Sequence, residues 1–274
     1  MRDGFDPSSL QSCAIAALTS SDLDLKVAIT LHAANRWFSR SMAVGVSLGR
    51  KAPDRPGRPA RPELLPPNLM KKRSIRSQRG RIALVHAIAH IELNAMDLAW
   101  DIIARFCHQK LPRSFYDGWV RVALEEAKHF SLLRARLAEL DAAYGDFPAH
   151  DGLWEAAQNT GHDLVARLAV VPLILEARGL DITPSLIDQL NEIGDTETSY
   201  IFSIIYRDEL GHVAVGAKWF RYFCFKNQQD PERAFQMLVR RYFRGALKPP
   251  FNDFTRCRAG ITPMFYRALS AKGN

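Results

Sequence analysis

Cysteine is scarce in this sequence, and no two cysteines lie close together. The four that occur are Cys13, Cys107, Cys224 and Cys257, and there is no C-x-x-C motif. Widely spaced cysteines are typical of reduced thiols in a cytoplasmic protein, so we expect a cytoplasmic location. The spacing also argues against zinc bound by cysteines and against an iron–sulfur cluster.

Long hydrophobic runs are also missing. The longest apolar stretch, 168–175, has eight residues, whereas a membrane-spanning helix needs about 18 or more. The N-terminus carries acidic residues early and has no long apolar region, which is not the pattern of a secretory signal. Hydrophobic residues still make up 47% of the chain, enough to bury a sizeable core. We therefore expect a folded protein with no membrane span.

Strand patterns are almost absent, and helical periodicity runs through most of the chain. It predicts helices over 9–18, 21–38, 81–110, 114–144, 153–179, 184–193, 195–227 and 231–243. Gly161 marks a potential break in the helix over 153–179, and Pro172 should kink it. Thr183-Pro184 should begin a separate helix. We predict an all-α fold in four segments: an N-terminal helical appendage (1–47), an arm (48–80), a four-helix bundle (81–228) and a C-terminal helical extension (229–274).

Positive charge is concentrated in one stretch that cannot form a continuous helix. The net charge is +8, and residues 50–81 hold eleven Lys or Arg, two acidic residues and six prolines. Proline forbids a long helix, so we interpret this stretch as an extended Pro/Arg-rich arm. Three interpretations stay open: the arm wraps the folded domain, it contacts a nucleic acid or an anionic substrate, or it is a solvated linker.

Each of the four bundle helices carries one carboxylate on its apolar stripe when residues are placed at about 100° intervals. These carboxylates belong to Glu92, Glu126, Glu176 and Glu209. His129 follows Glu126 by three residues, and His212 follows Glu209 by three. The spacing from the single Glu to the Glu-x-x-His motif is 34 residues in the first half and 33 in the second, which indicates a pseudo-repeat.

Four carboxylates inside one protein need compensation. Moving even one ion into the interior costs several kcal/mol, and like charges repel or take up protons. The stripes contain no Lys or Arg, but two divalent cations would offset the charge. Carboxylate oxygen and neutral imidazole nitrogen suit iron or manganese. Single Glu residues on two helices and Glu-x-x-His on two others are the ligand arrangement of di-iron carboxylate bundles, so we expect a carboxylate-bridged di-metal site.

Two further histidines lie near Glu92 in the sequence but not on its face of the helix. His86 and His90 share the opposite face with Asn94 and Asp97. We therefore leave both histidines out of the ligand set and expect them in a second layer or at the surface.

Four stretches together resemble a known family. They are GRIALVHAIAHIELNAMDLAWD, EEAKHF, EARGLD and RDELGH. The resemblance is to the ferritin-like proteins catalogued as domain of unknown function 455, and it covers most of the chain, including PGRPARPELLPP in the arm. It implies a ferritin-like bundle and says little about substrate. It also implies a dinuclear iron site on Glu92, Glu126, His129, Glu176, Glu209 and His212.

Analogy with such bundles also suggests roles for individual residues. Glu126 and Glu209 would bridge the metals, and Glu92 and Glu176 would be terminal ligands. Glu125 and Asp208 each precede a motif Glu, and they are either solvated acids or hold the other helix's histidine through its second nitrogen.

Two residues near the motifs have several interpretations. Tyr206, one turn before Glu209, is a core residue, a radical carrier or a hydrogen-bond donor to a ligand. Arg178 pairs with an outer acid or binds an anionic substrate.

The expected function is oxidation of an organic substrate by dioxygen. Two reduced iron ions, or iron with manganese, would activate the dioxygen, and the substrate and electron donor stay unidentified. One alternative is a hydroxylase that modifies tRNA or another nucleic acid, with residues 50–81 docking its phosphates. Another alternative is a non-catalytic protein that binds or stores iron.

Overall fold

The computed structural model describes residues 9–45, 51–71, 73–109, 111–244 and 247–270. Within these ranges the chain is largely helical, and the only β-structure consists of isolated bridges. The all-α prediction is therefore confirmed. The chain divides into two compact units, Met1–Trp154 and Glu155–Asn274, each of which we describe by itself. The four segments drawn from the sequence stay a prediction.

The first unit is built around two long helices. Its α-helices are α1 (Leu10–Thr19), α2 (Leu23–Phe38), α3 (Gln78–Phe106) and α4 (Arg113–Glu139). Short 3-10 turns occur at Pro67–Leu69 and Cys107–Gln109. The helices predicted before residue 111 are thus confirmed to within a few residues.

The helix predicted over 114–144 ends earlier than expected, at Glu139. Leu140 is its C-terminal cap, and the next residue, Asp141, has a φ of 55°. An aspartate can adopt this left-handed conformation, but a right-handed helix cannot continue through it. Gly145 also has a positive φ, 111°, so the chain turns here instead of lengthening the helix.

The α3 and α4 helices pack on each other more extensively than any other described pair of elements. The connection between them is short, which makes the pair antiparallel. The α1 helix packs on α3, and α2 packs on α4. The predicted apolar stripes are buried: Met96, Trp119 and Phe130 are at most 2% exposed. Burying one such side chain contributes about 1.5–3 kcal/mol, so these stripes hold the pair together.

One described helical stretch, Gln78–Gln109, is long and apolar enough to cross a membrane by length and composition. We predicted no such helix, because polar residues interrupt every apolar run in the sequence. In the structure 67% of the most apolar window of this stretch is buried inside the protein. Burial of that kind is typical of the core helix of a soluble protein.

The first part of the arm wraps the first unit. Arg58 pairs with Asp97 of α3, and its Nη2 also donates to the Asn94 side chain at 2.8 Å. Arg105 Nη2 donates to the Pro53 carbonyl at 2.8 Å. Further along, the Leu65 amide donates to the Ala149 carbonyl at 2.8 Å. The wrapping interpretation is therefore confirmed for residues 53–65.

The second unit contains most of α5 and the remaining helices. They are α5 (Gly152–Asn159), α6 (Leu164–Val170), α7 (Ala177–Glu192), α8 (Thr196–Lys226), α9 (Pro231–Tyr242), α10 (Asp253–Arg258) and α11 (Pro263–Tyr266). A π-helical turn, Val171–Glu176, joins α6 to α7. A 3-10 turn, Arg267–Leu269, follows α11.

One prediction for this unit is confirmed and one needs correction. The helix predicted over 153–179 is broken near Gly161, as the sequence suggested, because Asp163 caps a new helix by accepting bonds from the Val165 and Ala166 amides. The separate helix predicted to begin at Thr183-Pro184 is wrong, since Pro184 lies inside continuous α7. Proline inside a helix costs about 3 kcal/mol. Packing of α7 on α8 offsets that cost.

Replacing Asp97 with asparagine should destabilise the first unit. Its carboxylate neutralises Lys26, at 2.6 Å, and Arg58. Lys26 is fully buried, and burial lowers its pKa despite the opposing charge of Asp97. We expect D97N to lower the free energy of unfolding by about 3–5 kcal/mol, because two cations lose their partner. Chemical denaturation measures this loss.

The control for D97N is D24N. The Asp24 side chain is 83% exposed and pairs with Arg134 at the surface. Exposed ion pairs contribute little to stability, so D24N should leave the free energy of unfolding unchanged. Equal losses in the two variants would contradict a special role for the buried pair.

Candidate metal centre

Three predicted ligands come together in the first unit. Glu92 on α3 is 3% exposed, and Glu126 and His129 on α4 are fully buried. One candidate ligand atom from each of the three residues lies within 4.8 Å of those of the other two. The helical period explains this convergence, because Glu126 and His129 are one turn apart on the same face of α4.

The imidazole of His129 faces both carboxylates. Its Nδ1 lies 3.0 Å from Oε2 of Glu92 and 3.3 Å from Oε2 of Glu126. The nitrogen available to a cation therefore points at the oxygens that would share that cation. This is the donor set that suits iron or manganese, so the residues fit such a metal.

The charged groups of this cluster act strongly on one another. Burial and the neighbouring charge of Glu126 raise the pKa of Glu92 well above its usual value, and the hydrogen bond with His129 opposes that rise. Burial lowers the pKa of His129, but its hydrogen bonds with Glu126 and Glu92 outweigh this effect and raise the pKa to about 10. Protons on Glu92 and His129 therefore reduce the repulsion between the buried carboxylates. A bound divalent cation would take over that role.

The other three predicted ligands lie in the second unit. Glu209 and His212 are on α8, and Glu176 is the last residue of the π-helical turn. All three are at most 8% exposed. Nδ1 of His212 lies 3.5 Å from Oε1 of Glu209, as in the corresponding pair of the first unit. Whether all six residues form one dinuclear centre stays a prediction.

The π-helical turn determines where Glu176 is placed. Such a turn inserts one residue relative to an α-helix and rotates the residues after it, and it is frequent at functional sites. Pro172 lies inside this turn, which confirms that it distorts the helix. Gly216 of α8 packs against it: an added Cβ there would lie 2.6 Å from Pro172 Cγ and 3.1 Å from Leu173 Cδ1. The absence of a side chain at Gly216 thus lets the turn approach α8.

The residues proposed to support the ligands are less buried. Glu125 and Asp208 are both partly exposed. Asp208 Oδ1 lies 3.3 Å from Nε of its neighbour Arg207. Their predicted contact with the histidine of another helix stays a prediction.

Tyr206 and Arg178 both bind residues near the C-terminus. The Tyr206 hydroxyl lies 2.9 Å from Oγ1 of Thr255. Arg178 Nη1 donates to the Lys248 carbonyl at 2.7 Å and lies 3.4 Å from Oδ2 of Asp181. The pairing of Arg178 with an acid is therefore confirmed, and these contacts favour a supporting role for Tyr206.

The two histidines left out of the ligand set are both buried, so a surface position is wrong for them. Nδ1 of His90 lies 2.7 Å from the Tyr144 hydroxyl, and burial lowers the pKa of His90 to about 3. Nε2 of His86 accepts the Gly145 amide at 2.9 Å, and burial lowers the pKa of His86 to about 4. Both therefore form a neutral inner layer behind the apolar stripe.

Fold and site together define an all-helical protein with a buried group of carboxylates and imidazole that could hold a metal ion. The family described as "Protein of unknown function (DUF455)" matches residues 19–267, and the chain belongs to this family. An uncharacterized protein from Haemophilus influenzae is 42% identical over 209 residues, which are 74% of this chain and 73% of the relative. No solved structure matches the chain significantly.

Replacing Gly216 with alanine should displace the π-helical turn, because the new methyl group would overlap Pro172. We expect G216A to lower the free energy of unfolding by about 1–3 kcal/mol. Amide hydrogen exchange should become faster in 171–177, and this is the measurement that reports on Glu176.

The control for G216A is G211A on the same helix. Gly211 is exposed, and an added Cβ there meets nothing within 4 Å. Alanine is the better helix former, so G211A should raise the free energy of unfolding by about 0.5–1 kcal/mol. Unchanged exchange in 171–177 of G216A would contradict the proposed packing.

Proposed function

We propose that this protein is a non-haem di-iron protein, or an iron–manganese one, that uses dioxygen to oxidise an organic substrate. The observation that carries the proposal is the meeting of Glu92, Glu126 and His129 inside the first unit. Two buried carboxylates beside an imidazole cost stability unless they serve a charged partner. A divalent metal is the partner that this mixed oxygen and nitrogen set prefers.

The second group of three candidate ligands, Glu176, Glu209 and His212, supports two metals instead of one. We call each group of three a triad. Each unit contains a Glu on one helix and a Glu-x-x-His motif on the next, so the donor set occurs twice. If two metals bind, Glu126 and Glu209 would be the bridging ligands. Glu92 and Glu176 would be terminal ligands, and each histidine would supply a nitrogen.

The surrounding protein residues would hold the ligand side chains in place and exclude water. Two reduced iron ions, when bound, supply the electrons that activate dioxygen for oxidation of the substrate. Trp119 and Phe130 are at most 2% exposed on the stripe of Glu126, so they keep bulk water from the carboxylates. An external donor must return the electrons. The wide spacing of the four cysteines in the sequence supports a cytoplasmic setting.

Metal loading tests this function. We expect the chain, loaded anaerobically with Fe²⁺, to bind two ions and to consume oxygen when air is admitted. Replacing Glu126 with glutamine removes a bridging charge and should release at least one ion. E139Q, at a 60% exposed glutamate on the same helix, is the control and should bind two. Metal analysis and an oxygen electrode give both readouts.

The outcomes separate the alternatives. No bound metal in the wild-type chain would contradict the proposal. Uptake of many iron ions by a large assembly would indicate storage. Two bound ions without oxygen consumption would leave a metal-binding protein that is not an oxidase.

A second candidate function is modification of a nucleic acid, and the arm favours it. Arg55 and Arg58 pair with acids of the first unit, so they are neutralised. Lys71, Arg76 and Arg79 are exposed instead, and the structure gives them no ion pair among the described residues. These exposed cations are suited to phosphate contacts.

Salt-dependent RNA binding tests this second candidate. A variant with Lys71, Arg76 and Arg79 changed to glutamine should bind bulk tRNA more weakly. Its plot of log affinity against log salt should lose about two units of slope, since three phosphate contacts are removed. The control changes Lys218, Lys226 and Arg240 to glutamine, which removes the same charge from other exposed positions. Equal binding by the two variants, or no binding by the wild type at low salt, would exclude this function.

A further inference from the structure

The single Glu of each triad is followed, five residues later, by a buried aspartate. Asp97 follows Glu92 on α3, and Asp181 follows Glu176 into α7. Both aspartate side chains have 0% exposure. Five residues at about 3.6 per turn place the aspartate roughly 140° around the helix from the glutamate. Each aspartate therefore lies on the opposite side of its helix from the ligand face.

Each of these aspartates pairs with an arginine from a distant segment. Arg58, in the arm, pairs with Asp97 and also donates to Asn94, one turn before it. Arg256, in α10, donates through Nε to Oδ1 of Asp181 at 2.8 Å and through Nη2 to Oδ2 at 2.7 Å. Both arginines thus come from outside the helices that carry the predicted ligands.

The pair in the second unit is firmly held. Arg256 is 3% exposed, and its guanidinium lies over the rings of Phe251, at 5.2 Å, and Tyr266, at 4.6 Å. Its Nη2 also lies 3.4 Å from the carbonyl of Ala177, the residue directly after Glu176. A planar, bidentate guanidinium on a carboxylate fixes orientation as well as distance.

The neighbour of Arg256 fixes the other helix of this unit. Thr255 Oγ1 lies 2.9 Å from the hydroxyl of Tyr206, which is one turn before Glu209 on α8. Two consecutive residues of α10 therefore hold α7 near Glu176 and α8 near Glu209. The C-terminal extension joins the two helices that supply the ligands of this unit.

We propose that Arg58 and Arg256 are positioning residues that fix the rotation of the helices carrying Glu92 and Glu176. Rotation of a helix about its axis swings the ligand carboxylate away from the metal, and an anchor on the opposite face prevents that rotation. The inference rests on the proposed function, because it assumes that the two glutamates are metal ligands. Supporting contacts of this kind are needed to hold ligands within a fraction of an ångström.

Conservative variants separate positioning from charge. R58K and R256K keep the charge but lose the two-pronged contact. The controls are R55K, whose partner is Asp151, and R258K, which lies beside Phe254. T255V removes only the hydroxyl that Tyr206 contacts, and T255S keeps it, so this pair remains informative if a lysine variant folds poorly.

Manganese binding is the measurement. Mn²⁺ is titrated into each apo protein, affinities are taken from the free-ion signal in electron paramagnetic resonance, and coupling between two bound ions is read from the same spectra. We expect about tenfold weaker binding of one ion in R58K and in R256K, because loosened supporting residues typically cost 10–100-fold in metal affinity. T255V should alter the coupled spectrum, and R55K, R258K and T255S should match the wild type.

Each possible result supports or contradicts the positioning role of the two arginines. No Mn²⁺ bound by the wild type would overturn the proposed function, and this inference with it. Two ions bound by the wild type, with unchanged affinity and spectra in R58K, R256K and T255V, would overturn the inference alone. A loss of thermal stability with unchanged affinity would show that the arginines are structural only.

Discussion

Two carboxylates and an imidazole share the interior of the first unit, and their charge must be compensated there. Glu126 and His129 are fully buried and Glu92 nearly so, which leaves water little part in screening them. Burial and Glu126 raise the pKa of Glu92, so protons hold the cluster when no cation is bound. A cation that binds only the folded chain would stabilise it by mass action. Metal affinity and the stability of this unit would therefore be linked.

The face that carries the candidate ligands was predictable because one physical rule, the helical period, decides it. A period of about 3.6 residues places Glu92 among apolar neighbours and puts His129 one turn from Glu126. The structure buries all three residues and brings them together. The same rule correctly separates His90 from this face. It does not say what covers the opposite face, so it left open whether His86 and His90 lie in a buried second layer or at the surface.

Contacts between distant segments explain what the sequence did not predict. Arg58 reaches Asp97 across 39 residues, and Arg256 reaches Asp181 across 75. Periodicity carries no information about such pairs. Local rules also failed where tertiary packing opposed them: Pro184 predicted a helix start, yet α7 continues through it. The π-helical turn likewise depends on Pro172 meeting Gly216, more than forty residues away, so only its distortion was predictable.

The sequence pattern that the two units share extends beyond the candidate ligands. A Glu, an Asp five residues later and an arginine from outside the helix pair occur in both, although Arg58 precedes its helix and Arg256 follows its own. Opposite chain order makes a simple duplicated segment a poor explanation for the arginines. A shared requirement explains them better: a helix whose carboxylate must point at a cation needs a fixing contact on its opposite face. In both units the aspartate lies on the helix itself, and the arginine comes from a different segment that is close enough to contact the aspartate.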